Sequence, residues 1–243
     1  MKNFVVEIIS QTASFRDPGF QNFHKTLDLP PPTTIIGLCG AAMGLSPLQA
    51  QEFFGDGNIM LGVHGNHSGK CNDTWKYNKR FKDMWKYDPG LDGSVIQKEF
   101  LIQSTFYVAF SSVDESKLET LYTAFQSPVY ALTVGNSDSL AFIKAFYQDV
   151  ETTKSDEVEH CIIEGDIIDE VMRLAPEKME FSIYQTSEPI AYDLPVRFEY
   201  ENNYGKRAVS SISTFSIVGQ KMKLNYEIEG LKCNDVLIPL FRI

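Results

Sequence analysis

The sequence predicts an α+β protein. A β-α-β-β-α-β unit spans residues 1–150, and a small, mainly antiparallel-β region follows over 151–243. Three observations lead there. Apolar runs of strand length alternate with two segments of helical period in the first 150 residues. The connection between the second and third strands is about 34 residues, far beyond the two to five of an ordinary hairpin. After Glu151 the helical period fades and short strands separated by turn residues take over. The 243 residues are 43% hydrophobic and 22% charged, ordinary globular usage that excludes disorder and collagen-like repeats.

The first strand is expected over Phe4–Ile9, apolar and largely β-branched. Ser10–Leu29 is polar and aperiodic and reads as an excursion. Pro30, Pro31 and Pro32 then open a helix over about Thr33–Leu45, since proline is accepted in a first turn. Gly37, Gly40 and Gly44 share one stripe of that helix. Because each costs helix stability, the stripe predicts a close backbone approach, most simply to a sheet. The second strand is expected over Asn58–His64. Residues 65–98 lack periodicity, are basic and aromatic, and are expected to extend the hairpin outward as an arm. Glu99–Phe110 is the third strand, with Phe100, Ile102, Ser104, Phe106, Val108 and Phe110 on one face. Ser112 and Glu115 form a capping box before a helix whose apolar face is Leu118, Leu121, Tyr122 and Phe125. Val129–Val134, ended by Gly135-Asn136, is the fourth strand. This order is the split βαβ pattern of a ferredoxin-like (RRM-like) domain.

Residues 152–160 (TTKSDEVEH) read as a polar linker. Strands are expected at 161–163, 181–184, 196–200, 211–218, 223–228 and 236–241, with a turn at 202–205 and one helical stretch over 167–174.

The net charge is −10, which argues against a generic nucleic-acid binder. Lys70–Lys86, however, holds six basic and two acidic residues, so that segment is +4 on a body of −14. Charges further apart than roughly 8 Å are screened from each other at physiological salt, so a projecting basic arm can hold a polyanion. The longest run free of charged or strongly polar residues is Ile35–Leu45, eleven residues, against about 20 for a membrane span. Four dispersed cysteines make neither a disulfide framework nor a zinc ribbon. The expected location is the cytoplasm, with no membrane partner.

No GxSxG, P-loop or GxGxxG is present. His64, His67 and Cys71 lie close in sequence, but no fourth zinc ligand sits at a usual spacing. No metal or cofactor is expected. Metal-free RNA cleavage needs a base, an acid and a cation, for which His24, His64, Tyr77 and nearby lysines are available. The third strand has aromatics without the order of an RNP1 motif. Arg16 offers a fork of donors for phosphate, and sixteen residues on, Pro32-Thr33-Thr34 at a helix start pairs free N–H groups with hydroxyls, the elements of an anion site.

These residues resemble a known family. ASFRDPGF and PPPTTIIGLCGAAMGL within Ala13–Leu45, VYALTVGNSDSLA over Val129–Ala141, and the basic insertion between strands two and three are similar to the CRISPR-associated Cas-five family, nearest to its type I-B members. The resemblance implies a single-copy subunit of the type I Cascade surveillance complex that acts in antiviral defence. Its ferredoxin-like domain carries a thumb hairpin, and its smaller C-terminal domain is β-rich. It implies as partners the 5′ handle of crRNA, the Cas-seven backbone subunit, the Cas-eight large subunit and, through the complex, target DNA. Carried onto this chain, Arg16, Thr33 and Thr34 are handle contacts. Lys76, Tyr77, Lys79, Arg80 and Lys82 fall in the thumb, where Trp75, Phe81 and Trp85 either stack on a base or hold the arm together. Asn136 approaches the RNA backbone. The Tyr-His-Lys set of the family's cleaving branch has no clear counterpart, so the implied role is non-catalytic. A metal-independent endoribonuclease acting on precursor crRNA, and a protein-interaction module without RNA contact, are the alternatives.

Overall fold

The computed structural model describes residues 1–20, 23–78, 93–171, 189–201 and 207–243. Within these it is a mixed α+β protein dominated by strands. Lys79, Arg80, Phe81, Lys82 and Trp85, the strand expected at 181–184 and the turn expected at 202–205 lie outside the described residues, as does the Tyr77 side chain.

β1 (Asn3–Ala13) is longer than the apolar run, because Ser10, Thr12 and Ala13 keep pairing with β7. Short strands β2 (Phe15–Arg16), β3 (Phe23–His24) and β4 (Thr26–Leu27) follow. α1 (Pro32–Met43) has Pro31 as N-cap and Gly44 as a left-handed C-cap, φ 73°. A second helix, α2 (Pro47–Phe54), is opened by a capping box of Ser46 and Gln49. The glycine stripe serves this helix pair rather than a sheet. A Cβ on Gly40 would lie 2.6 Å from the Ala50 Cβ of α2, whereas a Cβ on Gly37 would meet nothing within 4 Å.

β5 (Ile59–Asn66) and β6 (Gly69–Asn78) both pair with the twenty-residue β7 (Gly93–Ser112). The sequence between strands two and three therefore includes a two-stranded ladder running from Gly69 opposite Ile102 to Asn78 opposite Gly93. The expected single alternation along β7 fails at Gln103, whose φ is 50°. Beyond it Phe106, Val108 and Phe110 enter the main core. Before it Leu101 does so, while Phe100 stacks toward Trp75. α3 (Glu115–Gln126) is capped by Asp114, not Ser112. The Asp114 carboxylate accepts from the Ser116 and Lys117 amides. Ser112 Oγ accepts from Asp114 N, and Glu115 is engaged by the N-terminal ammonium at 3.0 Å.

The fourth strand is β8 (Phe142–Gln148), not Val129–Val134. In the latter segment Val129 and Tyr130 donate to the carbonyls of Ala42 and Ala41 at the end of α1, and Thr133 makes an isolated bridge to Leu140. The strands run β8-β1-β7-β5, every neighbour antiparallel. The helices lie on one face, where Phe4, Ile8, Phe106 and Phe110 meet Ile35, Leu38, Leu121 and Phe125. Each such fully buried side chain contributes about 1.5–3 kcal/mol.

The expected linker at 152–160 is mostly strand β9 (Thr152–Val158), because β13 supplies its ladder partner. β10 (Cys161–Glu164), a 3₁₀ turn (Ile168–Glu170), β11 (Ile190–Tyr200), β12 (Arg207–Val218), β13 (Met222–Cys233) and β14 (Val236–Phe241) follow. The outer edge of β5 is taken by β14 at Leu61–Gly62 and by β10 at His64. Ile162, Val196, Phe215 and Phe241 join the main core, while Leu231, Cys233 and Ile238 cover Val5 and Ala109 on the opposite sheet face. No single helix among the described residues is long and apolar enough to cross a membrane.

Candidate nucleic-acid interface

The candidate residues converge because four short pieces of chain are locked onto the root of the β6–β7 ladder. Phe15 is buried against Phe106, ring centroids 5.5 Å apart. Its amide is held at 2.9 Å by Thr26 Oγ1. Alternation along β2 then turns Arg16 outward, where it is exposed. Next, β3 lies parallel to β7 with His24 opposite Lys98. The third piece is the turn after Thr133. Gly135 (φ 92°) passes so close to Ser14 that a Cβ would sit 1.8 Å from the Ser14 carbonyl oxygen. Ser14 N donates to Val134 O at 3.3 Å, and the turn presents Asn136. The fourth piece is β6, which brings Trp75.

Lys98 is the hub. Its ammonium donates to Asn136 Oδ1 and lies 4.4 Å from the Trp75 ring centroid and 5.5 Å from that of Phe100. Burial lowers the Lys98 pKa, Asp138 opposes that, and Arg16 adds to it. His24 is likewise lowered, first by burial and then by Arg16 and Lys98, so its ring is neutral at neutral pH. Trp75 is half-buried, with Nε1 donating to Asp73 Oδ2 at 3.0 Å. Its ring is thus part of the packing at the root of the ladder. Lys76 is exposed and alternates to the opposite face of the ladder from Trp75.

Thr33 and Thr34 lie on the other side of the same turn. They line a cavity of about 250 Å³ with Thr133, Gly135 and Arg207. The helix start is poorer in donors than expected. Pro31 and Pro32 have no N–H, and the Thr34 and Ile35 amides both donate to Pro31 O. Among the described residues only the Thr33 amide of this turn is left over, with no side-chain cap. The two threonine hydroxyls remain.

His64 does not join this cluster. It is 5% exposed, opposite Cys161 and 6.1 Å from the His160 ring. Neither of its nitrogens has a partner among the described residues, and burial, with His160 second, pushes its pKa down to about 4. His67 faces Asp28 at 3.4 Å, and Cys71 is exposed on β6.

The structure therefore brings Arg16, Trp75 and Asn136 to one place and Thr33 and Thr34 to an adjoining one. Lys98 and Arg207 carry no mark in the sequence. Lys98 lies beyond the basic run, and Arg207 opens β12. Chemically, two cations, a neutral imidazole and a carboxamide on a ladder rim suit an anionic backbone rather than a small neutral ligand.

No curated protein sequence matches the chain. Among the solved structures that share its fold are two CRISPR proteins. One is a chain of a CRISPR RNA-guided surveillance complex, at 12% identity and TM-score 0.55, covering 91% of each chain. The other is a CRISPR protein from Archaeoglobus fulgidus, at 13% identity and TM-score 0.50, covering 100% of each. A family model described as CRISPR-associated protein (Cas_Cas5) matches residues 5–210. That match takes in most of β1, the Arg16 strand, α1, the ladder, the Gly135 turn and all of β11, and on it the chain belongs to the CRISPR-associated Cas5 family.

Proposed function

We propose that this chain is a non-catalytic RNA-binding subunit of a type I CRISPR Cascade complex, of the I-B kind, and that it holds the 5′ handle of crRNA. The single observation that carries this is the meeting of Arg16, Lys98 and Asn136 at the ladder root in a chain of net charge −10. A local cationic site on an acidic body binds a phosphate backbone there and repels it elsewhere. The antiparallel order β8-β1-β7-β5, with helices on one face, supports the ferredoxin-like reading, and the β6–β7 ladder supports the thumb. The Cas-seven and Cas-eight subunits are the protein partners in this reading, target DNA is met through the complex, and the setting is the cytoplasm.

The test is binding of a repeat-derived handle RNA by the purified chain. Arg16→Ala and Lys98→Ala should each weaken it, and an affinity unchanged by both would end the proposal. Metal-independent cleavage has one observation in its favour: His24 stands opposite Lys98, where burial and then Arg16 and Lys98 hold its pKa below the ordinary value. Incubating repeat RNA in EDTA decides between the readings, because a specific product lost on His24→Ala would make the chain a nuclease.

A further inference from the structure

A second cavity adjoins the site, between α1 and the β11–β12 hairpin. It measures about 320 Å³, within the range of small-molecule sites. It shares Thr33, Gly37, Ala41 and Arg207 with the cavity beside Gly135, so the two form one groove leading away from the turn that holds Lys98. Three aromatic side chains line it: Tyr130, Phe198 and Tyr200. The Arg207 guanidinium lies over the Phe198 ring at 4.4 Å.

The groove is a built feature. The Gln51 side chain both accepts from Phe198 N at 2.8 Å and donates to Phe198 O at 2.9 Å, acting as a strand partner that fixes the aromatic strand against α2. Tyr130 is set by the hydrogen bond its backbone N–H donates to Ala41 O, yet the residue stays 60% exposed. Gly37 stands mid-helix on the wall with open space where a Cβ would be. Glycine there weakens the helix, and nothing in the packing of the described residues calls for it. A local rule broken without a packing reason points to a ligand. The charge is selective as well. The chain has 32 acidic residues, but no Asp or Glu lines either cavity among the described residues, whereas Arg207 lines both.

We infer that this groove is a nucleotide site for single-stranded RNA, with one base among Tyr130, Phe198 and Tyr200 and its phosphate at Arg207 and the Thr33 and Thr34 hydroxyls. Stacking on aromatic faces beside a cation is how proteins hold unpaired bases. The assignment rests on the RNA-binding reading and goes beyond it, because it predicts contact with a base where the Lys98 cluster predicts contact with the backbone.

The test is fluorescence anisotropy of the full chain with a labelled eight-nucleotide RNA and with an abasic strand of equal length and charge. Gly37→Leu fills the groove from a position with free space, and Tyr130→Ala truncates an exposed side chain. Neither should lower the melting temperature. Each should weaken RNA binding roughly 5- to 100-fold; Tyr130→Ala should leave the abasic strand unaffected, while Gly37→Leu, which stands on the wall of both cavities, and Arg207→Ala should weaken both. If both groove variants bind RNA as the wild type does while Lys98→Ala loses it, the groove is not a base site and the backbone reading survives. A wild type that binds RNA and abasic strand equally overturns the groove, and one that binds neither overturns both readings.

Discussion

Gly135→Ala tests the geometry on which the whole site depends. At φ 92° an L-residue is strained, at about 1–2 kcal/mol. The added Cβ would stand 1.8 Å from Ser14 O and 2.7 Å from Ser14 C, so one of the two backbones must retreat by roughly 1.5 Å, and overpacking of that kind costs about 1–3 kcal/mol. The Ser14 N to Val134 O bond, already 3.3 Å, would be lost, at about 0.5–1.5 kcal/mol. Together the loss is about 2.5–6.5 kcal/mol. In urea, with a slope near 3 kcal/mol/M, the midpoint should fall by about 1–2 M. Gly37→Ala is the control, because its Cβ meets nothing within 4 Å and helix propensity alone should raise stability by about 0.5–1 kcal/mol. RNA affinity of Gly135→Ala should drop even where it stays folded, since Asn136 leaves Lys98. A loss below about 1 kcal/mol would mean that the turn does not pass against Ser14 as described, and the placement of Asn136 would fall with it.

Three other outcomes are expected. Lys98→Ala and Arg16→Ala should each flatten the slope of log K against log salt by about 0.7 for every phosphate no longer neutralised, without changing preference among handle sequences, because phosphate contacts carry no base information; altered preference at unchanged slope would contradict this. His64, with its folded pKa pushed down to about 4, binds its proton less readily folded than unfolded, so between about pH 6.5 and 4 the unfolded state holds more protons and stability must fall as pH falls. From pH 7 to 5 the loss should be about 2 kcal/mol, absent in His64→Leu, as urea titrations at the two pH values would reveal. All four cysteines are free and only Cys71 is exposed, while burial raises the Cys39, Cys161 and Cys233 thiols. Ellman's reagent should therefore find one fast thiol in the native chain and four in denaturant, and more than one fast thiol would contradict the packing.

Much of the first 112 residues is legible in the sequence because each element's local chemistry agrees with its place. VVEII is a strand in any buried context, prolines followed by an apolar run open α1, and Phe106, Val108 and Phe110 alternate as a half-covered strand must. The failures have particular causes. Val129–Val134 is apolar and strand-like, but its amides are claimed by the free carbonyls at the end of α1. The true fourth strand, FIKAFYQ, carries Lys144, which makes sense only beside Glu7, to which it bonds at 2.6 Å. Asp114 displaced Ser112 as cap because the strand before it runs two residues further. TTKSDEV is polar but for Val158 and pairs only because β13 comes back to it from far along the chain.

The sequence alone determined what local spacing encodes: the strand and helix types, the basic insertion on an acidic chain, and the motifs that mark the family, Arg16 and Asn136 among them. Only the tertiary structure decided the company those residues keep. Lys98 is an unremarkable lysine until β3, the Gly135 turn and Trp75 close around it. Arg207 lies well over a hundred residues from Gly37 in the chain and lines the same cavities. The meeting of distant segments is set by how sheet edges pair and which faces remain uncovered. Those are properties of the assembled backbone, and no window of sequence contains them.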